Sequence, residues 1–356
     1  MSTQARTIDE QKLQTFMMKA VGDMGAAATC ATILLGEKLG LYRAMAGAGP
    51  LTPAQLSQMT NTNERLVREW LNAQAAAGYV AYNNDAYELP AEHAMALADE
   101  ESPVFIAGAF DVLAAMFASD DKLVEGFRNG KGLGWNQQAP RLFLGTERFF
   151  RPGYKTFLTT AWIPALEGVE EKLKAGAKVA DVGCGHGAST VVMAQAYPKS
   201  EFYGFDYHGG SINTAKQRAK AAGIDDRVKF DVVDAKGYGE KDFDLVCFFD
   251  CLHDMGDPIG AAKHARQALK PDGTILLVEP MAADTLEENL KSPIAPMFFA
   301  ASTMVCTANA VNQGGEPALG AQAGEKQLGD VFRQAGFTRF RRATETPFNL
   351  VLEARP

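Results

Sequence analysis

The sequence predicts an α/β protein: a doubly wound, mostly parallel sheet covered on both faces, preceded by a helical domain that ends in a β-wing. Three observations carry this. From residue 176 to 356 short apolar runs alternate with helical segments, which is the rhythm of βαβ units. The first run closes in a glycine-rich turn, Asp181-Val182-Gly183-Cys184-Gly185-His186-Gly187. Residues 52–89 read as two short helices and a small hairpin. A chain of 356 residues holds about two domains at ~150 residues each. Its composition, 47% hydrophobic and 22% charged with no long block of like charge, is that of an ordinary globular protein.

The first stretch, 1–92, begins with a long Ala-rich apolar helix (Met24 to Leu35) that is only weakly amphipathic, the pattern of a helix buried between partners. Dimerisation is its expected use. Thr52 caps a helix with Pro53 in its first position, running to Met59; the turn Thr60 to Asn63 leads into a second helix, Glu64 to Ala77, which Gly78 stops. Tyr79, Val80 and Tyr82 alternate toward the turn Asn83-Asn84-Asp85, and Ala86, Tyr87 and Leu89 return. This is a winged helix, and charge decides how it is used. From Pro53 to Pro90 only Arg65 and Arg68 are basic, against Glu64, Glu69, Asp85 and Glu88. The whole chain, with 35 basic and 43 acidic residues, carries −8. Phosphate binding rests on Lys and Arg, so nucleic acid is disfavoured and packing or dimerisation favoured.

The second stretch, 93–168, is a helical, aromatic-rich linker and capping region. Gly130 to Pro140 interrupts it as a loop whose Trp135 and Asn136 are candidate ligand contacts. In the third, 169–356, the strands are expected at Lys178–Val182, Glu201–Phe205, Val228–Val233, Phe243–Phe249, Thr274–Glu279, Thr338–Arg342 and Phe348–Glu353. The uncharged run Ser292 to Gly315 is interrupted by Pro293, Pro296, Asn309, Asn312 and Gln313, and reads as buried or pocket-lining, not as a membrane span. Met1 to Gln14 lacks the basic-then-apolar order of a secretory signal, and the five cysteines form no C-x-x-C pair. A cytoplasmic protein with free thiols and no metal site is expected.

The glycine turn alone also accommodates a dinucleotide fingerprint on Gly183, Gly185 and Ala188, with Asp206 for a ribose. Charge separates the ligands. Asp181, Asp206, Asp234 and Asp250 all fall at or just after the C-terminal ends of strands, where doubly wound folds bind ligands. Four carboxylates there repel a pyrophosphate and attract a sulfonium and an ammonium. Taken together, Asp181-x-Gly183-x-Gly185-x-Gly187 and these acids resemble the class I S-adenosylmethionine-dependent methyltransferases, over roughly residues 176–356. The winged-helix segment is similar to the dimerisation domain of O-methyltransferases. With Phe249-Asp250-Cys251-Leu252-His253-Asp254-Met255, the whole chain looks like a bacterial winged-helix group of methyltransferases sometimes labelled transcriptional regulators. The resemblance implies a Rossmann-like seven-stranded sheet and S-adenosylmethionine as cofactor, with S-adenosylhomocysteine as product. It implies that Gly183, Gly185 and Gly187 line the methionine portion, Asp206 the ribose and Asp234 the adenine. Asp181, Cys184, Tyr207, Ala235, Phe249 and Asp250 complete that site.

Methyl transfer to a hydroxyl is an in-line displacement that also needs a base for the acceptor's proton. His253, flanked by Asp250 and Asp254 after the fourth strand, is the candidate. The stretch resembles the Leu-His-Asp-Trp-x-Asp of O-methyltransferases, with Met255 in place of the Trp. Glu279 resembles the carboxylate that orients that base, and a carboxylate beside an imidazole raises its pKa and fixes its tautomer. His186 reads as a residue of the cofactor shell; His93, His208 and His264 read as structural. Tyr154, Phe298, Met304 and Asn309 are candidate acceptor contacts, from the aromatic-rich region and from the segment where this family inserts substrate caps. Glu325 opens the closing helix and either caps it or flanks the site. The expected function is methylation of a small molecule on oxygen, with a homodimer formed through the N-terminal helices. A thiol acceptor, and an S-adenosylmethionine-sensing DNA-binding regulator, stay open as alternatives.

Overall fold

A computed structural model describes residues 8–356; residues 1–7, part of the segment scanned above for a leader, lie outside the described residues. The chain forms two compact units that divide between Ala114 and Ala115, where the sequence placed breaks at 92 and 168. Burial explains the difference. Leu97 and Phe110, beyond the wing, belong to the core of the first unit, and Tyr154, Leu158, Trp162 and Leu166 belong to the core of the sheet.

In the first unit the apolar helix is longer than expected, Glu10–Lys38, capped by Asp9, which accepts the N–H groups of Gln11 and Lys12. Only Ile33, Leu34 and Gly36 are buried along its 29 residues, so the helix expected between partners lies open in the single chain. Phe16, Met17, Met18, Val21 and Met24 are among its exposed apolar side chains. It is also the one helix among the described residues long and apolar enough to cross a membrane, by length and composition alone. Thr52 and Gln55 close a reciprocal capping box on the helix Pro53–Thr60, and Asn63 caps the helix Glu64–Ala76. Trp70 Nε1 donates to the carbonyl of Thr32 at 2.8 Å and Gln74 Nε2 to its hydroxyl at 2.8 Å, fastening that second helix to the end of the long one. The wing is an antiparallel pair, β1 (Ala81–Asn83) and β2 (Ala86–Glu88), whose turn places Asn84 and Asp85 at φ 49° and 64°, as two-residue hairpin loops require. Both basic residues of the winged helix are engaged by acids one turn away, Arg65 by Glu69 and Arg68 by Glu64.

The second unit is built on seven strands: β3 (Lys178–Val182), β4 (Glu201–Asp206), β5 (Val228–Val232), β6 (Phe243–Phe249), β7 (Leu269–Pro280), β8 (Arg339–Glu345) and β9 (Asn349–Arg355). Their order is β5-β4-β3-β6-β7-β9-β8, with β9 antiparallel to both neighbours and all other pairs parallel. Successive residues of one strand serve opposite cores: Val179 and Leu245 pack on one face, Ala180 and Val246 on the other. β7 starts five residues before the expected Thr274, because Leu269 pairs with Phe243 ahead of the Pro271-Asp272-Gly273 corner. The order reverses direction between β3 and β6, and at such a switch point the connections leave a crevice beyond the strands' C-terminal ends.

Leu71 is fully buried in the first core, so Leu71→Ala should cost ~2–5 kcal/mol of that unit's stability, read by urea denaturation.

Candidate active site

The crevice between β3 and β6 opens into a cavity of about 540 Å³, within the range of small-ligand sites. Its floor is the glycine turn. Gly183, Gly185 and Gly187 all have left-handed φ values, 76°, 52° and 74°, and the helix Ala188–Ala196 starts directly after them. The glycines do different things. A Cβ on Gly185 would meet nothing within 4 Å, leaving open space for a ligand against bare backbone, whereas one on Gly187 would stand 2.9 Å from Ala215 and from Phe230. Gly187 therefore lets the helix pack on the sheet and does not line the cavity.

Asp181 is also set behind the wall. It is buried near the end of β3, where Oδ2 accepts the hydroxyls of Ser189 at 2.7 Å and Thr190 at 2.6 Å, and Oδ1 has no partner. Burial pushes its pKa up to about 6 against the pull of the two hydroxyls. Asp206, the last residue of β4, lines the cavity; one oxygen accepts the Gly185 N–H at 2.9 Å and the other the His208 N–H at 2.8 Å. Burial raises its pKa and the two N–H groups oppose the rise. A carboxylate accepts about four hydrogen bonds, so Asp206 keeps lone pairs for a diol. Asp234 and Ala235 line the wall beyond β5, and Cys184, Tyr207 and Phe249 are also at the surface of the cavity. Open space at Gly185, spare acceptors on Asp206 and a buried, unpartnered Nδ1 on His186 make a lining that fits the adenosine cofactor implied by the resemblance.

The structure brings His253 and Glu279 together. His253 sits in a 3₁₀ turn, Leu252–Asp254, and its Nδ1 is hydrogen-bonded to Glu279 Oε2; Glu279 Oε1 accepts the Leu252 N–H at 3.0 Å. His253 is 4% exposed and does not line the cavity. Burial opposes its charge, but Glu279 and Cys306 outweigh burial and hold its pKa well above the usual value. Asp254, next in the chain, does line the cavity. Burial pushes its pKa up to about 7; the neighbouring imidazole opposes this, and Glu279 and Asp206 add to it.

Of the expected acceptor contacts, Trp135, Tyr154 and Asn309 line the cavity and Asn136, Phe298 and Met304 do not. Met304 packs with Leu123, Leu133 and Ala308, which explains its distance. Asn309 works as a tie: Oδ1 accepts the Trp135 N–H at 2.8 Å and the Tyr207 hydroxyl at 3.4 Å, while Nδ2 donates to the Asp254 carbonyl at 3.0 Å. Glu325 is paired with Arg342, away from the cavity. His93, His208 and His264 bond Tyr79, Ser211 and Tyr238. Sequence reasoning missed Phe143, Glu147 and Phe150, although with Tyr154 they recur at i, i+4, i+7 and i+11, one face of a helix. The same lining includes Gln313, whose Oε1 accepts the Gly256 N–H at 3.0 Å. Among the described residues no group of three or more His, Cys, Asp or Glu side chains could hold a metal ion.

Comparison with known proteins follows the same division. Residues 173–336 match the family model described as a methyltransferase domain, and residues 27–99 that of the Rv2258c-like winged HTH domain. The chain thus joins a winged helix-turn-helix domain to a methyltransferase domain of Rossmann-like fold. Among curated relatives it is similar to the 27-O-demethylrifamycin SV methyltransferase of Amycolatopsis mediterranei, 34% identical over 107 residues, 30% of this chain and 39% of that protein. It matches 42% of the methyltransferase GfsG of Streptomyces halstedii at 27% identity, so it spans about two fifths of the length of these relatives. Among solved structures it shares its fold with an O-methyltransferase family protein from Burkholderia thailandensis, with TM-score 0.70, 18% identity and coverage of 95% of this chain and 98% of that one. Human N-acetylserotonin methyltransferase, solved with its cofactor, gives TM-score 0.66 at 17% identity, covering 99% of each chain.

Gly187→Ala sets a left-handed backbone and two close contacts against a methyl group, so it should cost more than ~1 kcal/mol of stability, read as a lowered Tm.

Proposed function

We propose that this protein transfers a methyl group from S-adenosylmethionine to a hydroxyl of a small molecule. The observation that carries the reading is the cavity at the switch point of a methyltransferase-domain sheet, with Asp206 and Asp234 on one side of the glycine turn and Asp254 on the other. Known proteins support it: the neighbours of the same fold include O-methyltransferases, and human N-acetylserotonin methyltransferase was solved with S-adenosylmethionine. Bound cofactor supplies an electrophilic methyl whose C–S bond breaks as the O–C bond forms, leaving S-adenosylhomocysteine. Asp206 holds the ribose and Asp234 the adenine amino group.

The proton of the acceptor hydroxyl goes to Asp254. This side chain faces the cavity, and a carboxyl group with a pKa near 7 is matched to general-base work at neutral pH. His253, expected as the base, is buried behind it with its Nδ1 on Glu279, and that carboxylate raises its pKa against burial. In this reading it is a positioning residue that fixes the turn carrying Asp254 and sets its proton affinity. The exposed apolar face of Glu10–Lys38 supports a homodimer, and five free cysteines support a cytoplasmic setting.

Release of S-adenosylhomocysteine is the test, with a panel of phenols, aliphatic alcohols and thiols as acceptors; turnover is expected on hydroxyl acceptors, and turnover on thiols alone overturns the oxygen assignment. Asp254→Asn should lower kcat by ~10²–10⁴ without weakening cofactor binding. Because Asp254 is active when deprotonated, kcat/KM should rise as pH passes upward through about 7, and the asparagine variant should lose that rise. Light scattering should give twice the chain mass, and Phe16→Glu with Val21→Glu should reduce it to one chain.

A further inference from the structure

Asp250, expected among the cofactor contacts, lines the cavity beside groups from β9 and the aromatic helical segment. It follows β6 with a left-handed φ of 50°, an uncommon conformation for a residue other than glycine. Its Oδ1 accepts from Asn349 Nδ2 at 3.1 Å, Tyr154 lines the cavity beside it, and Oδ2 is buried with no partner. These neighbours lie on β9 and on the aromatic helical segment, not on the adenosine side at β4 and β5. Around it Tyr154 is 5.4 Å from Phe249 and stacked 6.4 Å from Phe150, measured between ring centres. The aromatic wall continues through Phe143 to Trp135, with ring centres 5.4 Å apart.

Besides Asp250, the acids Asp206, Asp234 and Asp254 line the same cavity. Glu147 is held by Arg218 through two contacts of 2.9 Å. Lys236, the one lysine or arginine lining the cavity among the described residues, is engaged by Asp257 at 2.9 Å. Aromatic faces and an unpartnered carboxyl oxygen, with no free cation nearby, suit a positively charged nitrogen and reject an anion.

We propose that the acceptor carries an ammonium group beside the ring or chain that bears its hydroxyl, and that Asp250 Oδ2 together with the Tyr154 ring recognises it. This rests on the methyl-transfer reading and names its substrate class. The groups facing Asp250 are Glu279 on β7, His253 in the 3₁₀ turn, the Tyr154 hydroxyl and the neutral Asn349 amide. Burial and then Glu279 push the carboxyl pKa above the usual carboxylate range, against the pull of His253. An ammonium, protonated at neutral pH, favours the carboxylate, so its binding shifts that equilibrium toward proton release.

The experiment is calorimetry on the full chain loaded with S-adenosylhomocysteine, using three phenols that differ at one end: tyramine, tyrosol and 4-hydroxyphenylacetate. Tyramine should bind about tenfold or more tighter than 4-hydroxyphenylacetate, with tyrosol between. Asp250→Asn, loaded to saturation with S-adenosylhomocysteine, should erase the preference. On the unaltered chain, repeats in buffers of different ionisation enthalpy should show proton release with tyramine alone, a readout that needs no variant to fold. Equal binding of the three, tighter binding of the carboxylate, no binding of any, or a preference that survives Asp250→Asn overturns the proposal. Titration with S-adenosylhomocysteine comes first. If that fails, the methyl-transfer reading falls, and the three phenols are compared on the unloaded chain, where the same ranking is required.

Discussion

The site depends on one buried carboxyl group that stands behind the cavity wall. Asp181 ties the end of β3 to the first turn of the following helix through Ser189 and Thr190, and so fixes the path of the intervening glycines. With that path set, the Gly185 N–H points at Asp206, and Asp206 in turn holds His208, which caps the next helix. Two strands, two helices and the turn between them are registered by a short chain of charge-assisted bonds. Such bonds are strong because the surroundings are dry, and for the same reason a missing partner is costly.

The acids at the switch point divide by neighbourhood. Asp181 is bound by hydroxyls and braces; Asp206 is bound by backbone N–H groups and stays available as an acceptor. Asp254 and Asp250 are buried with Glu279 near both, and burial and that neighbouring charge raise their pKa values. Identical side chains in one crevice thus acquire different chemistry from burial and hydrogen bonding alone, a division of labour familiar wherever paired carboxylates act as acid and base.

Much of this was legible in the sequence because it rests on local rules. The run Lys178–Val182, the break at Gly183 and the helix start at Ala188 follow from period, turn chemistry and the absence of Cβ atoms. The capping box at Thr52 and Gln55 is likewise a signal of adjacent residues. The facing of side chains was not legible. His253 and Asp254 are neighbours in the motif, and only the 3₁₀ turn decides which of them meets the cavity. The Phe143, Glu147, Phe150, Tyr154 face was present as a helical period, but an aromatic face is equally the mark of a core. Asn309 as a tie joins segments 174 residues apart, a pairing no spacing rule predicts.

The antiparallel strand β9 has a consequence for how the protein comes together. It inserts between β7 and β8, and its first residue, Asn349, supplies the amide that orients Asp250, 99 residues earlier in the chain. Closing so long a loop is entropically expensive and rewarded late. The adenosine side of the crevice is built from consecutive βαβ units, whereas the opposite wall borrows from a strand far along the chain. The crevice is therefore whole only with β9 in place, which ties the last strand of the sheet to the chemistry of its middle.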